Sequence, residues 1–277
     1  MTASGTALPA VVLVLAGLFG LTIGSFLNVV AYRVPAGISL LRESRCPACD
    51  APVRAWQNVP VVSWLVLRGR CGSCRDRISW RYPAVELVTG ALFAAIACLL
   101  PWRDIAPSLA AGIAVLIAFW WFAGSTVALA LIDLDTRRLP NAIVLPGYLV
   151  GSGLLTLACL LGADWWALAR AGIGLVALFA VYALLWLVRP GAMGAGDVKL
   201  AGLVGLHLGW LGWGPLAVGG LAAFVLGGVF GIGLLAAGRA GRRTAIAFGP
   251  WMIVGAWTGV LAGAAIAGSY ARIVGLA

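Results

Sequence analysis

Charge is what this 277-residue chain has little of: Asp, Glu, Lys and Arg together make up 10% of it, and only nine residues are acidic. A soluble domain of this length carries about 25% charged residues to cover its surface, so a single water-facing globule is excluded. Residues 1–10 hold no basic side chain, and the apolar run behind them is too long for a signal-peptide core, which argues against a removable targeting peptide. No internal repeat, low-complexity stretch or soluble-type G-x-G cofactor loop stands out. What is present is apolar: 62% hydrophobic residues, with 38 Gly and 13 Trp. Glycine suits close helix packing in a bilayer, and Trp suits its two interfaces.

The net charge is +10. Its distribution speaks for membrane orientation rather than for a nucleic-acid surface. Eight apolar segments, each near the roughly 20 residues a spanning helix needs, fall at about 9–31, 84–101, 108–132, 141–161, 168–188, 200–215, 217–237 and 246–267. Residues 200–238 carry no acidic or basic side chain, only His207. A turn at the Gly/Trp/Pro cluster 209–215 divides them into two spans, the alternative being one span and one re-entrant segment. With eight spans, sixteen basic residues lie in one set of loops, and only Arg103, Arg170 and Arg272 lie in the other. The positive-inside rule makes the first set cytoplasmic and both termini extracytoplasmic. The expected fold is an all-α polytopic membrane protein of about eight transmembrane helices with a small cytoplasmic insert: residues 1–32 as the first span, 33–82 as the insert and 83–277 as a multi-helix membrane domain.

The insert contains nine Arg and four of the six Cys. The cysteines read Cys46-Pro-Ala-Cys49, then 21 residues, then Cys71-Gly-Ser-Cys74. Two such knuckles suit a closed, structural zinc site with four thiolate ligands, although the gap exceeds the usual 15–20 or so. About fifty residues with few aliphatics bury too little core to fold alone, and a metal supplies what packing cannot. Two disulfides or a redox C-x-x-C are the competing readings; a reducing compartment and the absence of a thioredoxin-like context weigh against them. Cys98 and Cys159 sit singly in apolar spans, as small packing residues do.

Ionisable side chains at membrane depth are functional candidates by default. Asp133 follows the apolar run ALALI, and Asp197 stands in Gly194-Ala-Gly196-Asp197-Val-Lys199, where the sixth span begins. The charge partition, which made no use of these two residues, puts both at the cytoplasmic edge. Two carboxylates held close share one proton, so one serves as base for a water while the other polarises a carbonyl. Glycines at 194 and 196 let another backbone approach. The plainer reading pairs Asp133 and Asp135 with Arg137 and Arg138, and Asp197 with Lys199. Asp133 and Asp135 lie about 200° apart on a helix, so only one faces a common partner. Asp133, nearer the apolar run, is preferred; Asp135 is left in a supporting or solvated position.

Seven motifs, taken together, resemble those of bacterial type IV prepilin peptidases, the bifunctional leader peptidase/N-methyltransferases. They are Gly24-Ser-Phe-Leu-Asn28 through Pro35; the two C-x-x-C pairs; Trp56-Gln-Asn58 through Trp64; Arg81-Tyr-Pro83 through Glu86; Ile132-Asp133-Leu-Asp135 with Leu139-Pro-Asn141; G-x-G-D at 194–197; and Phe248-Gly-Pro250. The resemblance covers nearly the whole chain. It implies an aspartyl endopeptidase of the bacterial plasma membrane with Asp133 and Asp197 catalytic, and with Gly194, Gly196, Asp135 and Lys199 as supporting or substrate-contacting residues. Its substrates would be prepilins and pseudopilins, cut at the cytoplasmic face just after a glycine. The new N-terminus would be methylated with S-adenosylmethionine, and the insert would be the zinc-bearing domain of bifunctional members. The family's Gly-Lys before the third cysteine is Gly69-Arg70 here, so charge is kept but not the lysine. Gly69, Arg70 and Glu86 are the candidates for methyl transfer.

Three other readings stand beside this one: a transporter using its acids as a proton relay, a membrane-anchored zinc module that only binds partners, and a peptidase without methyl transfer. The first expects acids near the bilayer midplane, and the second leaves G-x-G-D without a purpose.

Overall fold

The computed structural model describes residues 4–100, 108–189, 193–238 and 247–275, which leaves Pro101, Arg103, Arg239, Arg242 and Arg243 outside the described residues. The chain divides into two compact units, Met1–Leu100 and Pro101–Ala277.

In the first unit, α1 (Ser4–Arg33) and α3 (Arg81–Leu99) form an antiparallel hairpin. Small residues set its register. A Cβ on Gly20 would stand 2.8 Å from the Gly90 Cα, and one on Gly24 would stand 2.7 Å from the Glu86 Cα. One turn further, the Asn28 amide donates to the Tyr82 carbonyl at 3.3 Å. Without a hydrophobic drive between helices in lipid, such close backbone approach is what holds them together. Between them the insert carries a 3-10 turn (Ala55–Asn58), a short helix α2 (Val62–Val66) and two cysteine hairpins. Arg33, buried at the end of α1, orders the entry to the insert by donating to the carbonyls of Ser39, Leu40, Arg42 and Glu43.

The second unit contains α4 (Leu109–Thr136), α5 (Asn141–Leu160), α6 (Trp165–Val188), α7 (Ala195–Leu211), α8 (Trp213–Ala236) and α9 (Gly249–Ile273). Helix α7 is its core. From Asp197 to Trp210 every residue except Lys199 is buried, and α7 packs against α5, α6, α8 and α9. Glycine again permits contact: a Cβ on Gly205 would collide with the Gly174 carbonyl, and one on Gly209 would meet the Arg170 carbonyl at 2.6 Å.

Seven helices among the described residues are long and apolar enough to cross a membrane. Helix α7, which covers most of the sixth expected segment, is shorter than those seven. It begins at the Gly194 cap and ends at Gly212, whose φ of +145° only glycine adopts readily. Its 17 residues rise about 25 Å, at the short end of the roughly 17–25 residues of spanning helices. The break inside 200–238 therefore falls within the expected cluster 209–215, and the segment before it is a short helix buried by protein along its length.

Candidate active site and metal centre

Asp133 lies in the last turn of α4 and is 5% exposed. Its backbone carbonyl accepts the N–H of Arg137 at 2.9 Å, and Arg137 adopts a left-handed φ of 53° that ends the helix. Leu139 and Pro140 then turn the chain into α5. Asp197 is the third residue of α7 and is 8% exposed. Its Oδ2 accepts the N–H of Gly194 at 3.1 Å, closing the first turn of the helix.

Packing brings these two helix ends to one level. The His207 ring stacks on Phe122, with centroids 4.1 Å apart. Asp197 is ten residues back from His207 and Asp133 eleven residues on from Phe122, each about 15 Å along antiparallel helices. The two carboxylates lie within electrostatic reach of each other. Leu139 sits between the glycines of two neighbouring helix starts: a Cβ on Gly196 would meet its Cβ at 2.9 Å, and one on Gly249 its Cδ1 at 3.6 Å. Gly249 also abuts Asp133, whose Oδ2 is buried with no hydrogen-bond partner.

Lys199 does not take the Asp197 partner that the plainer reading offered. Its ammonium donates to Asn141 Oδ1 at 3.0 Å, and Tyr148 donates its hydroxyl to the Lys199 carbonyl. Lys199 thus ties the start of α5 to the start of α7. Gly194 supplies the cap, Gly196 the close approach to Leu139, and Asp135 is exposed on the face away from Asp133. Gly249 and Tyr182 were not singled out from the sequence. Gly249 sat inside the quoted Phe248-Gly-Pro250 motif, but its contact with Asp133 is tertiary.

The four insert cysteines are free thiols, and their sulfurs all lie within 4.8 Å of one another. The Cys46 and Cys74 sulfurs are 3.9 Å apart. A disulfide needs about 2.05 Å, whereas four sulfurs at about 2.3 Å around a tetrahedral zinc stand about 3.8 Å apart. Each knuckle is the same hairpin. Arg45 bridges Pro52 and Arg70 bridges Arg77, with left-handed Asp50 and Arg75 one residue after the second cysteine. The Cys74 and Ser73 N–H groups favour the thiolate at Cys71 and hold it down to about 6. At Cys74 the Asp76 N–H works in the same direction, but crowding by the Cys49 thiol and burial outweigh it and push the thiol up to about 12. Sulfurs gathered this closely suit a cation that lets all of them ionise.

Gly69 has a φ of +65°, and a Cβ there would stand 2.9 Å from the Trp64 ring. Trp64 in turn donates its indole N–H to the Ile78 carbonyl at 3.1 Å. Neighbouring Arg70 is exposed. Glu86 is buried and accepts the Val61 N–H at 2.7 Å, so it fastens the insert to α3.

A polytopic helical protein in which two buried aspartates at helix ends lie within electrostatic reach of each other, and whose other unit carries a four-cysteine centre, has the make-up of a membrane aspartyl peptidase with a metal-binding insert. The chain belongs to the type IV leader peptidase family: residues 120–232 match that family's model, and residues 18–100 match the bacterial peptidase A24 N-terminal domain. Among curated proteins it is 37% identical to a prepilin leader peptidase/N-methyltransferase of Stutzerimonas stutzeri, over 93% of each chain. Proteins of the same name from Pseudomonas putida (37% identical, 96% of each chain) and Neisseria gonorrhoeae (36%, 88% of each) are similar over comparable lengths. No solved structure matches.

Proposed function

We propose that the protein is a bacterial plasma-membrane endopeptidase that removes the leader peptide of type IV prepilins and pseudopilins at the cytoplasmic face, both its termini lying on the other side. The observation that supports this reading is that Asp133 and Asp197, both buried, end up at one level within electrostatic reach of each other. Two carboxylates that close up on a substrate water hold one proton between them. The ionised one takes a proton from a water, whose oxygen attacks the scissile carbonyl carbon. The protonated one donates to the carbonyl oxygen as it becomes tetrahedral. Collapse breaks the C–N bond, and a proton passes to the departing nitrogen, leaving a carboxylate on the leader and a free amine on the mature pilin. Gly194, Gly196 and Lys199 frame the pair by capping α7, admitting Leu139 and tying α5 to α7, while Asp135 faces away as a solvated support.

The insert is assigned a structural zinc held by Cys46, Cys49, Cys71 and Cys74. The four thiolates fill a tetrahedral shell, leaving no position for substrate. The names of the relatives support a second activity, transfer of a methyl group from S-adenosylmethionine to the amine that cleavage exposes. Gly69, Arg70 and Glu86 remain the candidates for that step. Gly69 and Glu86 are already engaged by Trp64 and Val61, which favours a peptidase-only chain as the second reading.

Co-expression with a type IV prepilin, followed by gel mobility and N-terminal mass, tests both activities. The expected product is a shortened pilin with a methylated N-terminus. An uncut prepilin contradicts the peptidase, and a cut but unmodified one leaves the second reading.

A further inference from the structure

Helix α2 is a single turn whose outward face is apolar. Val62, Leu65 and Val66 are 55, 61 and 68% exposed, and helical geometry puts all three within a sector of about 100°. Trp64 points the other way, its indole N–H donating to the Ile78 carbonyl and its ring lying against Gly69. The packed side of α2 is therefore the Trp64 side, and three aliphatic side chains are left uncovered on the opposite one. The insert that carries them is basic, with nine arginines against three acids. Arg54 stands just before the 3-10 turn and Arg68 just after α2, and both are exposed.

The level of this face relative to the bilayer follows from where α2 is attached. The Val61 N–H, at the head of α2, donates to Glu86 Oε2 at 2.7 Å. Glu86 lies six residues along from Trp80, the N-cap of α3, a rise of about 9 Å. Even a glutamate reaching back toward the helix start thus holds the head of α2 at the level of Trp80. Trp80, and Tyr32 at the end of α1, are among the most exposed aromatic residues, as rings at a membrane–water interface are. Leu87 and Val88, next to Glu86 on α3, are exposed as well and continue the apolar surface toward the bilayer core. Val61 itself is held at a φ of +61°, which a β-branched residue keeps only where its surroundings impose it.

We propose that α2 docks the insert on the anionic phospholipid surface of its own leaflet, with Val62, Leu65 and Val66 at the acyl-chain boundary and Arg54 and Arg68 on headgroup phosphates. Charge complementarity and continuity with the lipid-facing hairpin select this occupant over a protein partner. One apolar turn binds weakly alone, but α1 and α3 tether it at the surface, so the docking step is intramolecular. The insert then lies along the membrane instead of standing free in water. Neither the aspartate pair nor methyl transfer is needed for this docking.

The test uses the full-length protein with the photoreactive p-benzoylphenylalanine in place of Leu65. It is reconstituted in nanodiscs of phosphatidylcholine, with or without phosphatidylglycerol, irradiated, and its adducts are identified by mass. Lipid adducts at 65 are expected, about threefold or more abundant with phosphatidylglycerol. Arg54→Gln combined with Arg68→Gln should remove that gain while zinc content stays at the wild-type level. High salt should remove it in the unsubstituted arginine background too, where folding is not in question. Equal lipid yields in the two discs, or a residue 65 that labels only protein or nothing at all, overturn the proposal.

Discussion

Gly249 lies so close to Asp133 that a Cβ built on it would stand 2.6 Å from the carboxylate Oδ2. Real Cβ atoms do not approach that closely, so any side chain at 249 must displace the aspartate or the start of α9.

That contact gives the sharpest test of geometry at the site. Gly249→Ala should leave the helices folded, since alanine is a better helix former than glycine, yet lower cleavage about 100-fold by moving Asp133 about an ångström. Circular dichroism in detergent checks the fold and a prepilin cleavage assay the rate. An alanine variant with full activity would show that the Asp133 position is not critical.

The cysteine insert provides an independent handle. Replacing Cys46 and Cys49 by Ser should abolish stoichiometric zinc and open the arginine-rich hairpins to trypsin at Arg54, Arg68 and Arg70, because the knuckles have little core to fall back on. Metal content by elemental analysis and the tryptic fragment pattern report this. Unchanged zinc in the variant would remove the four-cysteine assignment.

Glu86 fastens the insert to α3 through the Val61 N–H, and Val61 is a β-branched residue held at a φ of +61°. Such a residue resists this positive-φ conformation by about 1–3 kcal/mol, and an unpaired buried N–H costs about 1–3 kcal/mol. Glu86→Ala should therefore weaken the insert, seen as faster zinc loss to a chelator. Glu86→Gln keeps an acceptor and should behave nearly as wild type. Equal chelation rates in all three would mean that the bond is not what holds the insert.

Reading the sequence identified the residues whose chemistry is out of place in lipid. Asp133, Asp197 and the paired C-x-x-C knuckles stand out in an apolar chain whatever the fold. Contacts set by packing did not show. Tyr182 is one aromatic among many in an apolar run, and only its ring contacts with Phe224 and Phe248 place it beside the start of α9. Hydropathy read 200–215 as a span because it counts apolar residues. It could not tell that these residues are covered by protein on all sides rather than facing lipid. The pairing of Lys199 with Asn141 rather than Asp197 likewise depends on α5 and α7 lying side by side.

The central claim is that Asp133 and Asp197 act as one catalytic pair. The most direct measurement is cleavage of a purified type IV prepilin by wild type, Asp133→Asn, Asp197→Asn and the double variant, all shown to fold alike. Because the two share one proton and one reaction, each single variant should be as inactive as the double. Substantial cleavage by either single variant would contradict the account.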